Sequence, residues 1–234
     1  MAASTRNAEA HAQLRNDILT GHLKPEQKLA FAVLCEQYGV SVGVMREALS
    51  RLAEQGLVDN IPQQGFYVAR ISVEDLLYLT EARTVIEKAA MRHAIESGSL
   101  AWESEVVAAN HRLTNTPRPD PNDPTRLSEE WAQLHSQFHE ILLSGCPNTR
   151  LLAVASQLRD SADMYRRWSF PQSPGPARDI NREHREIVDA VVSRDADLAV
   201  ALVTAHTELT VKLQLESIAG DAEPVTEPIA EPAS

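Results

Sequence analysis

Between residues 74 and 217 apolar side chains return every three or four positions, and the pattern breaks only where proline collects. That spacing is the period of helices with one buried stripe. Six helices are predicted, over 73–97, 101–115, 126–144, 148–169, 178–194 and 196–217. "TPRPDPNDPTR" (116–126) carries four prolines and "FPQSPGPA" (170–177) carries three with a glycine. Proline has no amide hydrogen to give a helix interior, so neither stretch is helical. The closing "GDAEPVTEPIAEPAS" holds few large apolar side chains, and 219–234 is predicted to be a disordered tail.

The first seventy residues have a different rhythm. A helix over about 8–20 stops at Gly21, "LKPEQKL" follows as a loop or short strand, and a short helix over 31–38 ends at "YGVS". Ser41 can cap the next helix, in which Met45, Ala48, Leu49 and Leu52 form one apolar stripe before Gly56 closes it. "LVDNIPQQGFYVARI" then reads as two β-prone runs around a Pro-Gln-Gln-Gly turn. Helix, short helix, glycine turn, helix and hairpin is the order of a winged helix-turn-helix. The fold predicted is therefore mainly α: a winged helix-turn-helix over 8–70 and an all-α antiparallel bundle of six helices over 73–217.

With the stripe turned inward, Ser41, Gly43, Arg46, Glu47, Ser50 and Arg51 face out. Residues at the start of such a helix can enter a major groove. Glu47 and Arg51 are also spaced for an ion pair, so Arg51 reads equally as a solvated helix charge. Gln64 and Gly65, at the hairpin tip, can touch an adjacent groove. The net charge of −11 opposes a nucleic-acid partner only until its distribution is read. Residues 1–70 balance seven basic against seven acidic side chains, and the acidic excess lies downstream.

No run is long and apolar enough to span a bilayer and no leader is apparent, so a cytoplasmic protein without a membrane partner is expected. Cys35 and Cys146 are far apart and fit neither a disulfide framework nor a thiolate metal site; both are expected to be buried or half-buried thiols.

Four histidines stand on apolar stripes. His135 and His139 in "LHSQFHEIL" are one helical turn apart on one face. His184 and His206 each lie eleven residues from Asp195, the centre of the predicted "SRDAD" turn, so two antiparallel helices bring them to one height. Trp131, Phe138 and Leu142 flank the first pair; Ile180, Ile187 and Val188 flank His184; Leu202, Leu209 and Leu213 flank His206. Inward imidazoles need partners. A shared divalent cation supplies one answer and ordinary core hydrogen bonds another, and spacing leaves both open.

"LRNDILTGHLKPEQKL", "LCEQYGVSVGVMREALSRLAEQGLV" and "PQQGFYVARIS" resemble the N-terminal domain of GntR-family regulators, and the helices behind them resemble its FadR-type (FCD) effector domain. The resemblance covers roughly 10–217. It implies a transcriptional regulator: a homodimer that binds a palindromic DNA operator, with an effector in the rear domain altering that binding. Val42 stands where the family carries a base-reading arginine and cannot make arginine's bidentate contact to guanine. Metal-binding FCD domains carry an Asp-x-x-x-His pair followed by two histidines 22 residues apart. His139, His184 and His206 match, and His135 replaces the aspartate. Four nitrogen ligands suit zinc, nickel or copper, with zinc the default, and leave the ion's double charge uncompensated, which favours a carboxylate effector. Arg83 matches an arginine of the first FCD helix that faces the ligand cavity; Arg159, Tyr165 and Asn181 are further candidates for effector contact.

Two other readings compete. A metalloenzyme would need a general base near the histidines, but Glu140 and Glu183, each one residue from a ligand, point off its helix face. No HExxH, GxSxG, Walker or dinucleotide motif occurs, so no enzyme is expected. A metal sensor would use the same residues with the ion itself as the signal.

Overall fold

The computed structural model describes residues 2–168 and 178–221. The elements are α1 (Ala2–Leu19), α2 (Phe31–Tyr38), α3 (Val42–Glu54), β1 (Val58–Ile61), β2 (Gly65–Val68), α4 (Val73–Ser97), α5 (Leu100–Thr114), α6 (Glu129–Ser144), α7 (Thr149–Trp168), α8 (Ile180–Val192) and α9 (Ala196–Asp221). A winged helix-turn-helix followed by a six-helix bundle is the predicted architecture. The second proline-rich stretch and residues 222–234 of the expected tail lie outside the described residues. Up to Asp221 the chain is helical, four residues past the predicted end of α9.

Capping explains the shifted starts of α5, α6 and α8. The side chains of Ser41, Ser72, Ser99 and Ser128 each accept from the amide three residues on, as does Asp179. A capped start satisfies an amide that has no intrahelical partner. Thus α6 begins at Glu129 rather than 126, and α8 at Ile180 rather than 178. In the wing, Val58 lies opposite Val68 and Ile61 opposite Gly65. Pro62 and Gln63 make the turn, with Gln63 at φ 65° and Gln64 N donating to Ile61 O at 3.1 Å. Lys28 bridges to Tyr67 as a third short edge, which settles the "LKPEQKL" stretch.

Two cores form. One, built from Met91, Trp102, Val106, Phe138, Leu142, Ile187 and their neighbours, lies inside the bundle. The other crosses from the winged domain into the bundle: Leu14, Ile18, Met45, Leu49, Leu52 and Phe66 pack with Leu76, Leu79, Met164, Tyr165 and Val211. Helix α7 is the shared wall. Arg15 Nη2 meets Asp160 Oδ1 at 2.6 Å, Trp168 Nε1 donates to Ile18 O at 3.1 Å, and Ser161 Oγ donates to Gln55 O at 2.9 Å. These contacts tie α7 directly to α1 and to the end of α3.

Candidate metal centre, effector cavity and DNA-reading face

The i,i+4 pair on α6 and the hairpin of α8 and α9 bring all four histidines together. Arg194, with φ 58°, makes the turn between the last two helices, and the ring centroids of His184 and His206 lie 4.8 Å apart. His135 and His139 centroids are 4.6 Å apart, and those of His139 and His206 5.3 Å. One ligand atom from each of the four fits within 4.8 Å of the others, and all four residues are buried. Trp131 stacks on His135 at 4.7 Å and fixes its ring.

The donor set suits a transition metal. Nδ1 of His135, Nδ1 of His139 and both ring nitrogens of His184 are buried and have no hydrogen-bond partner, which is costly unless something else engages them. Burial, reinforced by Arg166 at His135 and Arg159 at His139, holds those imidazoles well below their usual range. His184 is held down by burial and by His206. The rings are thus neutral, the form that ligates. His206 is lowered by burial against the pull of Glu183, whose Oε2 accepts from His206 Nδ1 at 2.7 Å. That bond leaves Nε2 of His206 as the nitrogen that could ligate a metal.

Glu183 has a role that the sequence did not show. It does turn away from the ligand face of α8, but toward α9, where it orients His206. Arg178 clamps it through Nε and Nη2, both at 2.7 Å, and Arg178 Nη2 also donates to His206 O at 3.1 Å. Burial would raise the Glu183 carboxyl, but the bonds from Arg178 and His206 overcome this and bring it to about 2.

A cavity of about 70 Å³ opens beside the imidazoles, lined among others by Arg83, Arg118, Arg159, Arg166, Arg178 and Thr207. Arg83 and Arg159, both expected to face an effector, are there, and both meet Glu87 Oε1, at 3.2 and 3.1 Å. Glu87 is only 3% exposed and went unnoticed in the sequence. Burial raises its carboxyl, but Arg159 and Arg83 outweigh that and hold it down. The other two candidates lie elsewhere. Tyr165 faces the winged domain, its hydroxyl donating to Asp75 Oδ2 at 2.8 Å, because one residue along α7 turns it about 100° from Arg166. Asn181 lines an outer recess with Arg118, Trp131, Arg178 and Ile180. Leu209, expected inside, is 40% exposed.

On the other domain Ser41, Gly43, Arg46, Arg51 and Gln64 are exposed, whereas Ser50 and Gly65 are half-buried. Ser41 Oγ accepts from Val44 N at 3.4 Å, and the Arg46 guanidinium lies 5.4 Å from the centroid of the Phe31 ring. Glu47 and Arg51 form no ion pair among the described residues. Cys146 is buried and Cys35 half-buried, both as free thiols. No described helix is long and apolar enough to cross a membrane.

A winged helix-turn-helix wedded to a helical bundle with a histidine- and arginine-lined cavity defines a class, that of ligand-responsive DNA-binding regulators. Comparison with known proteins makes it specific. Residues 6–68 match the model of the bacterial regulatory proteins of the gntR family, and 78–209 match the FCD domain. The chain is 34% identical over 201 residues to the uncharacterized HTH-type transcriptional regulator BphR of Paraburkholderia xenovorans (strain LB400), covering 86% of this chain and 82% of that one. It is 31% identical over 216 residues to the HTH-type transcriptional repressor GlaR of Escherichia coli (strain K12), covering 91% and 97%. The fold matches E. coli McbR/YncC with a TM-score of 0.75 at 19% identity, over 91% of this chain and 98% of that one. The protein belongs to the GntR family, with an FCD effector-binding domain, and is a transcriptional regulator rather than an enzyme.

Proposed function

We propose that the protein is a homodimeric regulator whose affinity for a palindromic operator is set by a small carboxylate bound beside a divalent metal in the four-histidine site, zinc by default and nickel among the alternatives. The winged helix over 8–70 reads DNA through Ser41, Gly43, Arg46, Ser50, Arg51, Gln64 and Gly65, and the bundle over 73–217 senses the effector. The observation that carries the reading is the charge of the site. Five arginines line the cavity; Glu140, Asp160 and Asp163 line it too, and Glu87 and Glu183 back it. These charges cancel, and the ligands are four neutral imidazoles. A divalent ion held by His135, His139, His184 and His206 would act as a Lewis acid with an uncompensated double charge, which favours an anion.

Arg83 and Arg159 supply planar donors suited to a carboxylate. The cavity volume of 70 Å³ is room for roughly five water-sized groups, so the effector is small. An anion that draws Arg159 or Arg166 shifts α7, and α7 carries Asp160, Ser161 and Trp168 against the winged domain. This gives the two sites a shared element through which a coupling free energy can act.

The test is binding of the zinc-loaded protein to DNA upstream of its own gene, against scrambled DNA at fixed salt, with carboxylates of two to six carbons added in turn. Arg46→Ala is expected to weaken selective binding on the order of tenfold, and one or more carboxylates to change the affinity of the wild type. No selectivity and no carboxylate response would refute the proposal. Chelation separates it from the metal-sensor reading: there, loss and return of the ion alone would switch DNA affinity. His135→Asp is expected to keep the metal but weaken carboxylate binding about tenfold, because one negative charge enters the site. An unchanged carboxylate affinity would deny His135 this role.

A further inference from the structure

Of the seven glycines whose surroundings the structure describes, six have a reason inside the folded chain. Gly21, Gly39, Gly56 and Gly65 have φ between 63° and 99°, a region that suits glycine. Gly98 and Gly145 abut Trp102, where a Cβ would come within 2.2 and 2.9 Å of the indole. Gly43 has neither reason. It is the second residue of α3, its φ is not left-handed, and a Cβ there would meet nothing closer than Ser41 Oγ at 3.9 Å. Glycine is the poorest helix former after proline, so its place in the first turn of α3 is unexplained by the chain's own packing. What remains is close approach of something external to the backbone.

Its neighbours describe that partner. Val42 is 50% exposed at the first position of α3 and presents only methyl groups. Ser41 is engaged as the cap, Val44 is half-buried, and Arg46 is held over Phe31 a turn further on. Val42 and Gly43 thus offer methyl groups and open backbone at the head of the helix, with exposed Ser41, Arg46 and Glu47 around them. On the major-groove edges of the four base pairs, the one methyl group is that of thymine.

Resting on the DNA-reading proposal above, we infer that the first turn of α3 makes a close apolar contact with DNA. The Gly43 backbone lies against a sugar-phosphate strand, and the Val42 methyls read the 5-methyl group of a thymine in each half-site. Val42 is then the residue that sets which operator this protein prefers.

The experiment selects a preferred duplex from a random pool with the full-length protein. Each thymine is then replaced in turn by deoxyuridine, which removes only the methyl. At one thymine per half-site, replacement is expected to weaken wild-type binding about fourfold, the worth of one buried methyl group. Val42→Ala removes the contact from both half-sites, so it should bind the thymine duplex about fifteenfold more weakly, with no further loss when both thymines are replaced. Gly43→Ala should bind more weakly by on the order of tenfold or more, from overpacking, with a thermal midpoint unchanged or higher. The inference is overturned if no thymine is sensitive, if sensitivity persists in Val42→Ala, or if Gly43→Ala binds normally or loses affinity by unfolding. A pool that enriches no sequence would overturn the DNA-reading proposal as well, whereas an enriched duplex with no sensitive thymine overturns this inference alone.

Discussion

Lowering the pH from 6.5 to 5.5 is expected to remove folding stability on the order of 1 kcal/mol for each clustered imidazole that stays neutral, about 3 kcal/mol for His135, His139 and His184 together and a smaller part for His206. Native His135, His139, His184 and His206 are all held below their usual range, chiefly by burial. In the unfolded chain they take up protons near 6.5. The unfolded state therefore binds more protons than the native state below that value, and stability falls as pH falls from the unfolded value toward the folded ones. A bound metal leaves the sign unchanged, since it also requires neutral rings. Glu183 and Glu87, both lowered in the fold, contribute stability that is lost only on further acidification below the ordinary carboxylate range, so the windows are separate. Domains are stable by about 5–15 kcal/mol, and the loss should lower the thermal midpoint by about 10 °C for a chain of this size. Thermal unfolding followed across pH 5–8 measures it. Replacing His184 by leucine should flatten the pH dependence by roughly a quarter to a third, whatever its effect on absolute stability. A midpoint indifferent to pH between 6.5 and 5.5 would mean that the native rings take up protons as readily as the unfolded ones.

The histidine cluster was legible because it depends on quantities that sequence spacing carries: a turn of helix between His135 and His139, and equal distances of His184 and His206 from Asp195. The winged domain was legible for the same reason, its stripe and its turn residues being local. The role of Glu183 was not legible: its turn off the ligand face and the α8–α9 hairpin were both expected, but its contact with His206 depends on the Arg178 clamp, which leaves no signal in spacing. Glu87, in "TVIEKAA", looks like a solvated charge beside Lys88; what buries it is Arg159, 72 positions away. Tyr165 and Arg166 illustrate another limit. They are neighbours in sequence and serve opposite sides of α7, and a small error of phase in a helix with one face on each domain exchanges them.

Replacing Glu87 by alanine is expected to destabilise the protein by about 3–5 kcal/mol, the usual result of removing one member of a buried ionic group. Its carboxylate is 3% exposed, and the Arg83 and Arg159 guanidiniums that meet it are themselves largely out of water. Without the carboxylate, two buried cations face the cavity with no counter-charge at that point. Glu87→Gln keeps shape and an acceptor, so it should lose less, about 1.5–3 kcal/mol. The same loss of charge should act in the opposite direction on ligand binding, because Arg83 and Arg159 no longer share their donors with an internal acid. Acetate or another small carboxylate should accordingly stabilise Glu87→Ala more than it stabilises the wild type. Denaturant unfolding of wild type and both variants, with and without acetate, reads the two effects together. Stability within 1 kcal/mol of wild type for Glu87→Ala would show that water reaches the guanidiniums, against the burial described. Full destabilisation without any gain from acetate would place the arginines in the architecture of the bundle and remove them from the effector site.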